Sequence, residues 1–389
     1  MGALTMIAAV WLGVLGAVAA WAGIRTRPRG GSHGNPTNDI ARAIARTTVI
    51  LLRPCAGTEP GLVEALSSSR EAHPGTQVRF LVAQPSDDAR PLAERVAGTL
   101  LREGHDARTV VTAASAPNMK VAQLARALDV EPGRANVVLV ADSDVVLSVA
   151  VLSSLLVPLV EGRADATWAP TVEIRAVTRA DRASAAVLSA SLHAFPLLAG
   201  LDRAGMVGKV FAVRREALDA VGGFASLTEH LGEDVELSRR LRRQGGCVVA
   251  CSEVAASIAS GRSWGDLVRR YARWIAVVRA QRTALLVSYP LLLAATPLVL
   301  SLDLVAWALE GPRAAVVLGP TLLVRWSIGA LARRRSGLAL HPAALLVEGL
   351  VADALLLTSL ARALVRRDVV WRGSRLALAS HGLVVGRSP

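Results

Sequence analysis

Apolar positions are distributed in two ways along this chain. From Gly2 to Ile24 no ionisable side chain interrupts the run, and about 23 helical residues span ~34 Å, enough for the ~30 Å hydrocarbon core of a bilayer. Met1–Ala9 holds no basic residue, whereas Arg25, Arg27 and Arg29 follow the run. That is the pattern of an anchor whose arginines lie on the cytoplasmic side, not of a cleaved signal peptide. Long apolar blocks return only after residue 283, as Ala284–Leu309, Ala314–Leu331 and Leu340–Leu364. Arg325 interrupts the second and Glu348 and Asp353 the third. Charges at membrane depth face protein or water, so these blocks read as buried, re-entrant or interfacial helices. Three full crossings would put Arg366, Arg367, Arg372 and Arg375 outside, against the positive-inside rule that Arg333–Arg335 obey. Leu340–Leu364 is therefore expected to lie in the interface or to double back.

The intervening chain alternates differently. Thr48–Pro54, Val78–Ala83, Ala107–Thr112 and Asn136–Ala141 are short β-branched runs, separated by the helix-like stretches Pro60–Ser69, Pro91–Glu103 and Met119–Asp129. This alternation predicts an α/β fold, a parallel sheet covered by helices. The division that follows is an anchor at 1–25, a linker at 26–44, a cytosolic domain at 45–265, a basic interfacial helix at 266–283, a membrane region at 284–365 and a basic cytosolic tail at 366–389.

Composition agrees: 52% hydrophobic and 19% charged residues are apolar for a soluble chain, where about 25% charged is usual, and exclude disorder. The net charge of +13 fits nucleic acid, anionic lipid or phosphorylated substrates. Its concentration beside the apolar blocks, without a recognition motif, argues against nucleic acid. The odd set Cys55, Cys247 and Cys251 offers no disulfide framework and suits a reducing compartment; Cys247 and Cys251 read as small apolar strand residues.

Parallel sheets bind ligands beyond the carboxyl ends of their strands. After the fourth predicted strand stands Asp142-Ser143-Asp144. Two carboxylates there can hold a hard divalent cation, or can cap the helix predicted at Val149–Val160. Glu233-Asp234 precedes a basic helix, Val235–Arg243, where a carboxylate can cap the helix or act as a general base. In Arg269-Arg270-Tyr271-Ala272-Arg273-Trp274, Arg270 and Arg273 share a helical face and can grip a diphosphate; the alternative is a juxtamembrane anchor, the role read for Arg269, Arg279 and Arg282.

Together these clusters resemble the ceramide glucosyltransferases of glycosyltransferase family 21, which also holds bacterial enzymes that glycosylate hopanoids. Arg53-Pro54 with Gly57-Thr58-Glu59-Pro60 is similar to the family's run after strand one, and Asn118-Met119-Lys120 to its Asn-Pro-Lys. Gly208-Lys209, Arg214-Arg215, Leu218 and Gly222-Gly223 resemble the stretch before its base, and Trp371-Arg372-Gly373 with Arg375 its Trp-Arg-x-x-Arg tail. The resemblance implies a GT-A fold and inverting transfer of a sugar, glucose in the first instance, from a UDP-sugar to a lipid hydroxyl with Mg²⁺ or Mn²⁺. It implies that Asp142 and Asp144 serve metal and diphosphate, Asp234 is the base, and Arg270, Arg273 and Trp274 form the (Q/R)xxRW motif. Arg53, Glu59 and Lys120 fall in its donor-binding positions and His193 in its acceptor region. Where the family has Gln-Asp after strand two, this chain has Gln84-Pro85, leaving Asp87 or Asp88 to substitute.

The implied partners are a UDP-sugar, a ceramide- or hopanoid-like acceptor and a cell membrane crossed several times. A hopanoid N-acetylglucosaminyltransferase is the nearest rival. A polysaccharide synthase would have more crossings, and a catalytically inactive nucleotide-sugar or lipid-binding protein is the alternative of another class.

Overall fold

The computed structural model describes residues 2–26, 38–131, 135–366, 368–371, 374–379 and 382–387. The first four strands are β1 (Val49–Pro54), β2 (Gln77–Val82), β3 (Asp106–Val111) and β4 (Val137–Ala141), each within two residues of its predicted run. They are followed by β5 (Val145–Val146), β6 (Ala166–Trp168), β7 (Thr171–Ile174), β8 (Val210–Arg214), β9 (Val248–Ala250) and β10 (Ala255–Ile258). The main sheet is seven-stranded in the order β3-β2-β1-β4-β8-β6-β9. Its β3-β2-β1-β4 half is parallel, and β8 runs antiparallel to both β4 and β6.

Both faces of the sheet are covered, so β1 is buried at every position. Its residues alternate between two cores, with Ile50 and Leu52 in one and Val49 and Leu51 in the other, as the two-residue strand period requires. A small second sheet, β5-β10-β7, sits beyond the carboxyl end of β4. Cys247 and Cys251 flank β9 and do not lie within it, the first exposed and the second half-buried.

The anchor is a single helix, Ala3–Arg25. Thr5, Ala8, Leu12, Leu15, Ala19 and Ala22 face the protein, and Met6, Ile7, Val10, Val14 and Trp21 face outward. The helix is fastened near both ends. Glu310 accepts from the Leu4 and Thr5 amides at 2.8 and 3.3 Å, satisfying donors left free at a helix N-terminus. Arg335 donates to the Gly23 carbonyl at 2.8 Å.

Among the described residues, three helices are long and apolar enough to span a membrane: Ala3–Arg25, Pro312–Arg335 and Pro342–Val365. The expectation that Leu340–Leu364 doubles back is corrected, because that block is one continuous helix. The break lies in the first C-terminal block, where Thr283–Leu293 and Thr296–Glu310 meet at 56°. Pro290 and Pro297 flank the bend, and proline removes the amide that would continue the ladder. The charges interrupting these blocks are paired: Arg325 with Asp353 at 2.8 Å and Arg333 with Glu348 at 2.6 Å. Near its other end, Pro342–Val365 offers the Ala363 carbonyl to Arg279 of the helix Trp264–Gln281.

The tail, read as a basic cytosolic segment, forms a third sheet of β11 (Asp368–Trp371), β12 (Ser374–Leu378) and β13 (Val384–Arg387). Arg27, Arg29, Arg367, Arg372 and Gly373 lie outside the described residues, as do the side chains of Trp371 and Arg375.

Candidate active site

The site gathers at the carboxyl end of β4. Asp142 and Asp144 occupy the tight connection from β4 to β5, and the Asp142 amide is held by the Lys209 carbonyl at 2.8 Å. The Asp142 carboxylate meets the Lys120 ammonium at 2.7 Å. Asp144 pairs with Lys209 and accepts from the Ser257 hydroxyl at 2.9 Å. Burial pushes the Asp144 carboxyl up, but the Lys209 ammonium outweighs it and holds the group down at about 2. Its second oxygen, Oδ1, is buried without a partner, an arrangement an incoming cation or donor group can satisfy.

Lys120 connects this pair to the second motif. It stands on the first turn of the helix Met119–Val130, whose N-cap is Asn118. From there its ammonium reaches Asp142, Glu233 at 3.4 Å and the Gly208 carbonyl at 2.7 Å. On the other side of the Gly208 Cα, the Gly208 amide donates to Asp234 Oδ2 at 2.6 Å. A side chain at Gly208 would lie 2.9 Å from the Asp234 Cβ, so glycine permits the approach. Burial, then the neighbouring Glu233 charge, raises the Asp234 carboxyl to about 6. A carboxylate poised there is ionised at neutral pH yet basic enough to take a proton.

Arg270 enters from the helix Trp264–Gln281, which opens with a Ser263–Asp266 capping box. It pairs with the buried carboxylate of Glu173 on β7, which also takes Arg262 at 2.9 Å. Despite its burial, these two arginines hold Glu173 down at about 2. The Arg270 guanidinium lies 4.7 Å from the centre of the Trp274 ring, and its charge favours the ionised form of Asp144. Behind Trp274, His193 is stacked at 6.4 Å with an interplanar angle of 3°. Burial lowers His193 to about 4, leaving it a neutral ring.

Thus Lys120, Asp142, Asp144, Asp234, Arg270 and Trp274 converge. The other expected positions are arranged differently. Arg53 is fully buried beneath the loop, donating to the Asp142 and Val145 carbonyls, the former at 2.9 Å, so it shapes the Asp-x-Asp turn. Asp87 ties the first two strand loops together by accepting from the Gly57 and Ala89 amides, both at 2.9 Å; Asp88 is exposed. Glu59 is exposed in the loop after β1. Arg273 lines a separate groove with Arg269, Arg362 and Arg366. Glu173 was not singled out from the sequence, and Lys209 only as part of a run; a lone glutamate in a strand carries no local signal.

Among the described residues, no group of three or more His, Cys, Asp or Glu side chains is placed to hold a metal. Asp142 and Asp144 supply hard oxygen donors, and the unpartnered Asp144 Oδ1 fits a divalent ion whose remaining ligands are diphosphate oxygens and water.

The parallel half of the sheet thus ends in an Asp-x-Asp turn with a raised carboxylate and buried cations beside it, the architecture expected of a GT-A fold. The model of glycosyl transferase family 21 matches residues 4–384, and the chain belongs to that family. No curated protein matches it. Among solved structures, it is similar to glucosyl-3-phosphoglycerate synthase from Mycobacterium tuberculosis in complex with phosphoglyceric acid, at 20% identity and TM-score 0.43 over 64% of this chain and 84% of that one. The same synthase in complex with Mn²⁺, UDP and glucosyl-3-phosphoglycerate matches at 19% identity and TM-score 0.42 over 64% and 84%. A structure described as a mycobacterial protein matches at 19% identity and TM-score 0.42 over 64% and 79%.

Proposed function

We propose that this glycosyltransferase moves a hexose, glucose in the first instance, from a UDP-sugar to the hydroxyl of a lipid at the membrane surface, inverting the anomeric carbon. The observation that carries this reading is Lys120, whose single ammonium bridges Asp142, Glu233 and the carbonyl of Gly208, the residue whose amide binds Asp234. The diphosphate end and the base end of the site are thereby held within one lysine's reach.

Asp234 takes the acceptor hydroxyl proton as that oxygen bonds to the anomeric carbon. The bond from that carbon to the UDP oxygen breaks on the opposite face, and UDP departs with the electron pair. Lys120, Lys209 and Arg270 offset the charge that develops on the diphosphate. Asp142 and Asp144 would hold Mg²⁺ or Mn²⁺, which supplies further neutralisation of the leaving group when bound. His193 and Trp274 form the apolar wall toward the membrane helices, the acceptor side.

Arg25 and Arg333–Arg335, taken with the positive-inside rule, support a catalytic domain on the cytoplasmic side of a cell membrane. Incubating membranes containing the protein with radiolabelled UDP-glucose or UDP-N-acetylglucosamine, together with ceramide, hopanoid or diacylglycerol acceptors, tests the reading. A labelled glycolipid is expected with UDP-glucose and ceramide. Product only with UDP-N-acetylglucosamine and a hopanoid would replace the sugar and lipid named here, and no lipid product from any pair would favour a protein that binds without transferring.

A further inference from the structure

Arg325 lies midway along the apolar helix Leu318–Arg335 and is only 2% exposed. Its Nε and Nη2 donate to the two Asp353 oxygens at 2.8 and 2.9 Å, and Nη2 also donates to the Gly349 carbonyl at 2.7 Å. A side chain at Gly349 would come within 2.6 Å of the guanidinium carbon, so glycine is what lets the two helices meet around it.

The remaining nitrogen reaches outside the membrane helices. Nη1 donates at 2.8 Å to the carbonyl of Ala190, the residue that ends the catalytic-domain helix Arg179–Ser189. That carbonyl belongs to the set a helix C-terminus leaves without an internal partner. From Ala190 the chain turns directly to His193: Ser191 Oγ donates back to the Val187 carbonyl at 2.8 Å and accepts from the His193 amide at 3.0 Å. His193 stacks on Trp274, and Trp274 carries Arg270 over its ring. An unbroken series of contacts thus runs from the buried ion pair to the arginine facing Asp144.

Stability alone does not account for this arrangement. A desolvated ion pair is often replaceable by apolar side chains without loss of stability, whereas its directional bonds fix geometry in a way that apolar contacts do not. We infer that Arg325, held by Asp353, is a positioning residue that sets the Ala190–His193 turn against Trp274, so that the membrane helices define the acceptor side of the site. This inference rests on the reading of an acceptor that arrives from the membrane.

The test compares the full chain with Arg325→Met, with the matched apolar pair Arg325→Met/Asp353→Leu, and with Arg325→Lys, all in nanodiscs of phosphatidylethanolamine and phosphatidylglycerol. The single methionine variant leaves Asp353 buried alone and can fail to fold; the apolar pair removes that penalty. For the apolar pair, the melting transition, the Kd for UDP and the donor-only hydrolysis of UDP-glucose stay at wild-type values. Its KM for the lipid acceptor rises about tenfold, with faster hydrogen–deuterium exchange over residues 189–195. Arg325→Lys keeps the charge but cannot make all the bonds, and falls between. An apolar pair with wild-type acceptor KM and unchanged exchange would overturn the proposal, as would parallel losses in UDP binding and acceptor use. Exchange over 189–195 still decides the role of the pair if the wild-type chain transfers to no lipid, an outcome that defeats the acceptor reading instead.

Discussion

Asp234 shows how one carboxylate is tuned by its immediate surroundings. It accepts from the Gly208 and Val235 amides at 2.6 and 2.8 Å, contacts that favour the charged form. Burial and Glu233 nevertheless prevail over those bonds and over Lys120, and the group titrates at about 6. Asp234→Asn keeps the shape and removes the base, so transfer falls about 1000-fold while the Kd for UDP, followed by calorimetry, stays unchanged. Because the base acts only when ionised, the pH profile of transfer falls as pH drops through about 6. Glu233→Gln removes a like charge and moves that limb to lower pH; an unmoved limb would assign it to another group. The aspartates were legible because each stands at a strand end or helix start with its motif intact. Glu173 was not, since the arginines that give it meaning lie 89 and 97 residues further along. Nor was the fate of Arg273: residues three apart on a helix still differ by about 60° in direction. Here one guanidinium pairs with Glu173, whereas the other residue lines the groove it shares with Arg362 and Arg366.

Among elements, the parallel strands were readable because burial on both faces demands near-continuous apolar runs. The tail sheet was not, since strands of four or five residues interrupted by arginine give little periodicity. Apolar length also failed to reveal where a membrane block bends, which the prolines around Ala294 decided. The helix Pro342–Val365 is long enough to cross, yet its first part pairs with Arg333 and its last turn with Arg279. Arg333 closes a helix whose neighbouring Arg335 meets the Gly23 carbonyl, at the arginine-flanked end of the anchor. We therefore expect this helix to lie along the membrane surface under the catalytic domain. Spin labels on its exposed residues Val347, Ala354 and Thr358 should report one shallow depth. A label at Ala354 lying near the bilayer midplane, with those nearer the ends shallower, would show a crossing helix instead.

On the scale of the whole molecule, distant parts of the chain complete one another. The tail sheet closes over the loop before the base: the Leu231 amide donates to Gly382 and the Val384 amide to Glu229, both at 2.8 Å. Leu231, Ala276, Val277 and Val369 form a small core beneath it. A chain shortened to end at Arg366 loses two backbone bonds worth about 1 kcal/mol each, together with that core. Its melting temperature should fall and its transfer rate should drop further than its affinity for UDP, since Lys120 and Asp142 lie on other elements. Equal losses in rate and UDP affinity would mean that the tail supports the domain as a whole.

The double fastening of the anchor has a wider meaning. A solitary membrane helix meets a thinner bilayer by leaning. This one is held by Glu310 near one end and Arg335 near the other, so it cannot lean without drawing its neighbours along. The Ala22 carbonyl also lies so close to Gly200 that a side chain there would meet it at 2.9 Å. Gly200 belongs to the helix Phe195–Leu201, which begins two residues after His193. On the proposed reading of a lipid acceptor, the acyl-chain length of the surrounding lipids is expected to be a mechanical input to the acceptor side, with the bilayer a gauge as well as a source of substrate.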